Sequence, residues 1–117
     1  MKVYLLDFDG ALSTLRNPGR WVDQQRAASP EDRFVIWSGN TPDILWRRYK
    51  ALLKAVDAFW VKPLHLTELF RQHDWEPTEI IVVDNSPAAG RLAQWMLRTL
   101  GVPVRVVGVT EFGEFFE

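Results

Sequence analysis

The stretch that decides the fold is VYLLDFDGAL, residues Val3 to Leu12. An apolar run from Val3 to Leu6 shows no alternation and stops at two aspartates one residue apart, Asp7 and Asp9, followed by Gly10. A short apolar run without alternation is the pattern of a strand buried on both faces, as in a parallel sheet. Two carboxylates at the tip of such a strand repel one another, and burying them unpaired costs roughly several kcal/mol each. Water, a cation or a hydrogen-bond network must offset that cost.

Four more runs of the same kind follow: FVIW (Phe34 to Trp37), AFWV (Ala58 to Val61), IIVV (Ile80 to Val83) and VRVVGV (Val104 to Val109). Helical patterns lie between them. NTPDILWRRYKALLKAV predicts one long helix, capped by Asn40 or Thr41, with Pro42 in its first turn and Asp43 complementing its dipole. Leu45, Tyr49, Leu52, Leu53 and Val56 form its apolar face. SPAAGRLAQWMLRTLG predicts another, capped by Ser86 and stopped at Gly101, with Leu92, Trp95, Met96 and Leu100 as its apolar face. WVDQQRAAS and PLHLTELFRQH are weaker helical patterns. Strands alternating with helices predict an α/β fold, a three-layer sandwich around a five-stranded parallel sheet.

Length and composition bound the rest. The 117 residues, 47% hydrophobic and 13% aromatic, suffice for one domain with a real core, covering residues 1–117. STLRNPGR carries the strongest turn chemistry and predicts a short flap at about residues 11–20. The tail TEFGEFFE is expected to dock on the core or contact a partner. A net charge of -1 signals neither nucleic acid nor membrane as a partner, although local basic patches stay open. The absence of cysteine excludes disulfides, thiolate metal sites and a cysteine nucleophile, and fits a cytoplasmic protein. No run reaches membrane-spanning length, and acids follow the N-terminus too early for a signal peptide.

In open parallel sheets the ligand site lies beyond the carboxyl ends of the strands. Asp7 and Asp9 follow the first run; Ser38, Gly39 and Asn40 the second; Lys62 and Pro63 the third; Asp84, Asn85 and Ser86 the fourth. The right-handed crossover rule brings these ends to one edge. There Asp7 and Asp9 are expected to be solvated, with a cation between Asp7 and Asp84. Hard oxygen donors with waters suit Mg²⁺. A carboxylate beside such an ion can attack phosphorus, and a second can serve as general acid and base. A serine hydroxyl and a lysine can hold phosphoryl oxygens.

DFDGAL, then Ser38, then Lys62, then IVVDNSP, in this order and each at a strand end, resembles the haloacid dehalogenase superfamily of phosphohydrolases. The four motifs span residues 7 to about 90, most of the chain. The resemblance implies a Rossmann-like fold and a Mg²⁺-dependent phosphomonoester phosphatase that works through an aspartyl-phosphate. Asp7 would be the nucleophile and a metal ligand. Asp9 would be the acid/base, with its backbone carbonyl on the metal. Ser38, with Gly39, and Lys62 would bind the phosphoryl group. Asp84 would complete the ligand set, with Asn85 in an outer shell. The second aspartate, Asp9, resembles the phosphatases of the family and not the dehalogenases.

Two positions depart from the pattern: Ala11 stands where threonine or valine is usual, and Asn85 where a second aspartate is common. DNSPA resembles the small phosphatases that act on the RNA polymerase C-terminal domain, which makes Asn85 compatible with activity. Both gaps where the family inserts a cap are short, so the chain resembles a capless member. Such an open site implies a large substrate or a lid from another subunit, so a protein, nucleotide or nucleic-acid phosphate and an oligomer are open as partners. Arg16, Asn17, Arg20 and Asn40 are then candidates to touch substrate. The alternative is a receiver-like or non-catalytic module that binds phosphate or Mg²⁺ and serves a partner.

Simpler readings exist for several residues. Ser86-Pro87 is a helix start that needs no function, and Arg47 to Lys50 is the solvated face of a helix. His65 and His73 have no partners at metal-ligand spacing. The six tryptophans are read mostly as core, with Trp37 a candidate wall of the site.

Overall fold

A computed structural model describes residues 1–109. The tail TEFGEFFE, for which docking or a partner contact is expected, lies outside the described residues. The five apolar runs are the five strands: β1 (Lys2–Leu6), β2 (Arg33–Ser38), β3 (Ala58–Val61), β4 (Glu79–Val83) and β5 (Val104–Val107). All pair in parallel, in the order β3-β2-β1-β4-β5. Five helices connect them: α1 (Pro18–Ala28), α2 (Pro42–Trp46), α3 (Lys50–Ala55), α4 (Leu66–His73) and α5 (Pro87–Leu97).

The unalternating strands are explained by two cores. Val3, Leu5, Val35, Trp37, Ile80 and Val82 face a core closed by Leu66, Leu69 and Phe70 of α4 and by Ala93, Met96 and Leu97 of α5. Leu6, Phe34, Ile36, Ile81 and Val83 face the other, closed by Trp21 and Val22 of α1, Leu45 of α2, and Leu52 and Ala55 of α3. From β1 the chain steps to β2 and β3 with its helices on one face. It then crosses back to β4 and β5 with helices on the other, as right-handed crossovers require. The direction reverses between β1 and β4, which opens a crevice at their carboxyl ends. Among the described residues nothing resembling a cap domain is inserted after β1 or after β2. Nor is any helix long and apolar enough to cross a membrane.

The long helix expected over Asn40 to Val56 is two short ones. Tyr49 leaves helical geometry, with φ -122° and ψ 38°. Its ring instead packs edge-on against Phe8, with centroids 4.7 Å apart and planes at 74°. The break lets α3 start afresh and lie against α1 at Gly19, where a Cβ would stand 3.0 Å from the backbone of Ala51 and Leu52. Tertiary contact overrides helix propensity here.

The flap region is also more ordered than turn chemistry suggests. Leu12–Thr14 form a 3-10 turn, and Asn17 is the N-cap of α1, its side chain accepting the Arg20 amide at 3.1 Å. Ala11, Leu12, Pro18 and Gly19 are buried. At α5, Ser86 caps the helix as expected, accepting from Ala89 N at 3.3 Å. Its buried face, however, is Gly90, Ala93, Met96 and Leu97, while Leu92 and Trp95 are exposed. Trp21, Trp37 and Trp60 belong to the core; Trp46 and Trp95 do not.

Candidate active site

Register places the site. Leu6 pairs with Val83, so the residues that follow, Asp7 and Asp84, stand side by side across the β1/β4 crevice. The ladder continues one step, with Asp7 N donating to Val83 O at 3.0 Å. Ser38 pairs with Val61, which puts Lys62 one residue further out on the same edge. Asp7, Ser38, Lys62 and Asp84 thus come together as the spacing predicts.

Lys62 joins the two acids. Its Nζ donates to Asp7 Oδ1 at 3.2 Å and to Asp84 Oδ2 at 2.9 Å. It also lies 5.4 Å from the centroid of the Trp37 ring, a cation–π distance, which makes Trp37 a wall under the lysine. Asp84 is buried, and its Oδ1 accepts the Ser86 amide at 2.8 Å. Asp7 Oδ1 also accepts the Phe8 amide at 3.0 Å.

Of the two acids that the sequence suggests are solvated, Asp9 is exposed, but the Asp7 side chain is only 14% exposed, and that of Asp84 is 3% exposed. Lys62 lies between Asp7 and Asp84, where a metal cation is expected. Burial raises the Asp7 carboxyl above its ordinary pKa, and the Asp84 charge adds to this. The charge and hydrogen bond of Lys62 and the Phe8 amide pull the other way without cancelling it. For Lys62 burial lowers the pKa, but its hydrogen bonds to Asp84 and Asp7 and their charges outweigh that and raise it overall. Two acids share one ammonium in a partly dry pocket, so the cluster keeps an excess negative charge.

Asp9 behaves differently. It is exposed, and its Oδ2 accepts from Asn40 Nδ2 at 3.0 Å. Gly10 turns the loop with φ +74°, a left-handed conformation that favours glycine, and its N–H donates to Ser13 Oγ at 2.9 Å. Ser38 is buried, and its Oγ accepts the Asn40 amide at 3.1 Å, which leaves its O–H able to donate. Gly39 is exposed, with nothing within 4 Å of where a Cβ would lie.

Among the described residues no group of three Asp, Glu, His or Cys side chains is placed to hold a metal. Three carboxylates do not converge, because that of Asp9 turns to Asn40. The donors that fit Mg²⁺ are the carboxylates of Asp7 and Asp84 and the Asp9 carbonyl, which accepts no backbone hydrogen bond among the described residues. Hard oxygens around an excess negative charge suit a divalent cation.

The remaining candidates separate. Asn85 is exposed, and its Oδ1 accepts the Val109 amide at 2.8 Å, tying the turn after β4 to the end of β5. Arg20 is exposed and joins none of these contacts. Arg16 lines a cavity of about 350 Å³ beside the loop that follows β1. Arg48, from a run that the sequence places on a solvated helix face, and Tyr49, from its apolar face, line it too. Nothing in RRYK announces the helix break that brings them there.

The strand order argues against the receiver alternative, since receiver-type doubly wound sheets run 2-1-3-4-5. No protein-family model matches the sequence, and no curated protein does. Two solved structures resemble the fold. The HAD domain of effector protein Lem4 from Legionella pneumophila aligns over 97% of this chain and 91% of that one, with TM-score 0.61 and 15% identity. An inactive mutant of the same domain aligns over 97% and 90%, with TM-score 0.60 and 14% identity. The chain has the fold of a haloacid dehalogenase-type (HAD) domain.

Proposed function

We propose that this HAD-like chain is a Mg²⁺-dependent phosphomonoester phosphatase acting through an aspartyl-phosphate on Asp7. The observation that carries the reading is Lys62 bridging Asp7 and Asp84, with buried Ser38 on the same sheet edge. Asp7, Asp84 and the Asp9 carbonyl would hold the ion. When bound, Mg²⁺ would supply positive charge against the phosphoryl oxygens.

Asp7 Oδ2 has no hydrogen-bond partner among the described residues and is the attacking atom. It forms a bond to phosphorus while the bond to the leaving oxygen breaks. Asp9, on the open side of the loop, gives that oxygen its proton. The Ser38 hydroxyl and the Lys62 ammonium hold the transferring oxygens. For the second step Asp9, now a carboxylate, takes a proton from water. The water oxygen bonds to phosphorus, the bond to Asp7 breaks, and inorganic phosphate leaves. Asn40 orients the Asp9 carboxylate through its amide.

The test is hydrolysis of phenyl phosphate by the wild type and by Asp7→Asn, each with Mg²⁺ and with EDTA. Turnover is expected only with both Mg²⁺ and Asp7. Equal turnover by Asp7→Asn would remove Asp7 as the nucleophile.

A further inference from the structure

The cavity beside the loop after β1 has a wall and a charge that the reaction at phosphorus does not use. Its floor is the contact between α1 and α3 at Gly19 and Leu52. Its walls include Ser13 and Tyr49, and both touch the loop that carries the acids. Ser13 Oγ accepts the Gly10 amide at 2.9 Å, and the Tyr49 ring meets Phe8, the residue between Asp7 and Asp9. Arg16 and Arg48 both line the cavity, and the Arg48 guanidinium lies 5.7 Å from the Tyr49 ring centroid. Neither arginine forms an ion pair among the described residues, whereas Arg26, Arg71 and Arg105 do. Two guanidinium groups around an aromatic wall recognise a planar group that carries an anion.

We propose that this cavity binds the leaving-group half of the substrate, and that the substrate is a phosphomonoester bearing a second anionic group, a carboxylate or another phosphate. The inference rests on the phosphatase reading and adds a substrate class to it. Arg16 and Arg48 hold the second anion, Tyr49 packs on the group that carries it, and Asp7 faces the phosphoryl group.

The experiment compares phenyl phosphate, 3-carboxyphenyl phosphate and 1,3-phenylene bisphosphate as substrates of the full chain with Mg²⁺. The readout is the ratio of kcat/KM for each ester with a second anionic group to that for phenyl phosphate. The wild type is expected to prefer the esters with a second anion by about tenfold or more, the scale of one charge-assisted hydrogen bond. Arg16→Ala and Arg48→Ala each reduce the ratio, and together abolish it. Arg91→Ala, which removes a charge from the exposed face of α5, keeps it. The preference also shrinks as salt is raised. A larger ratio for one of the two esters identifies carboxylate or phosphate as the second anion.

Turnover of phenyl phosphate with no preference, or a preference that survives the double variant, overturns the cavity assignment and leaves the phosphatase reading standing. If no ester is hydrolysed, the phosphatase reading fails, and calorimetric binding of 3-carboxyphenylphosphonate against phenylphosphonate decides the cavity alone. A tighter carboxylated ligand, weakened tenfold by the double variant, supports it; equal binding overturns it.

Discussion

Lys62→Met removes the ammonium and keeps an apolar stem of similar length. The acceptor oxygens of Asp7 and Asp84 are then at most about 6 Å apart, the sum of their distances to Nζ, with no cation between them. At an effective dielectric of about 20, two unit charges at that separation repel by about 3 kcal/mol. The escape is to protonate one carboxyl, which from an ordinary pKa near 4 costs about 4 kcal/mol at pH 7, and less for Asp7, whose carboxyl burial already raises. The smaller of the two costs sets the loss, on the order of 3 kcal/mol. Lys62 is 26% exposed at its side chain, so water already weakens the bridge, and a loss of about 2–3 kcal/mol is expected at neutral pH. Near pH 4 protonation is almost free, and the loss falls below about 1 kcal/mol. Urea unfolding at both pH values measures it. Adding Asp7→Asn to Lys62→Met removes one of the repelling charges and restores most of the stability at neutral pH. A loss within about 0.5 kcal/mol at pH 7, or one of equal size at both pH values, refutes the charge argument.

Asp7→Asn alone has a signed pH signature. The folded-state pKa of Asp7 is raised, so its stabilising contribution is full below the unfolded value of about 3.8 and is lost as pH rises through the folded value. The variant is therefore expected to gain stability relative to wild type as pH rises through that window, read by urea unfolding across pH 3 to 7; a gain at acid pH instead reverses the sign and the argument. Gly19→Ala pushes a Cβ to 3.0 Å from the backbone of α3, which cannot rotate away as a side chain would. It is expected to lower stability by about 1–3 kcal/mol in thermal or urea unfolding, and a neutral result would mean that α1 and α3 do not touch there.

The strands were legible because a doubly buried parallel strand needs an unbroken apolar run, and five such runs are present at suitable spacing. The Ser86 cap was legible because it depends on neighbours in sequence alone. What escaped depends on distant contacts. Tyr49 reads as one more residue on a helical face until Phe8, far off in sequence, accepts its ring and ends the helix. The buried face of α5 escapes periodicity in the same way. Periodicity admits Trp95 and Leu92, but the small residues Gly90 and Ala93 are what let the helix lie close to the sheet, and Gly90 leaves only 2.7 Å between a would-be Cβ and Val106 Cγ1. The grouping of Asp7, Ser38, Lys62 and Asp84 at one sheet edge was visible through their positions after strands. The place of Arg48 beside the cavity was not, because it follows from the broken helix.

The fates of the three acids follow from topology more than from their motifs. Asp7 and Asp84 come from strands adjacent in the sheet and registered as Leu6 with Val83, so they lie level across the crevice where strand order reverses. Neither can move away, since each follows a strand fixed by two neighbours, and a shared cation is the way to relieve their repulsion. Lys62 can supply it because β3 ends in register with Ser38 on the same edge. Asp9 lies beyond the ladder, where Gly10 has already turned the chain, and so it meets Asn40 and solvent instead. A half-buried, charge-coupled acid and an exposed one that meets Asn40 thus arise two residues apart. In the proposed reaction that division would shield the attacking carboxylate from water and keep the proton carrier near it. It also explains why DFDG alone does not reveal which acid is buried: the answer lies in what β4 places next to Asp7.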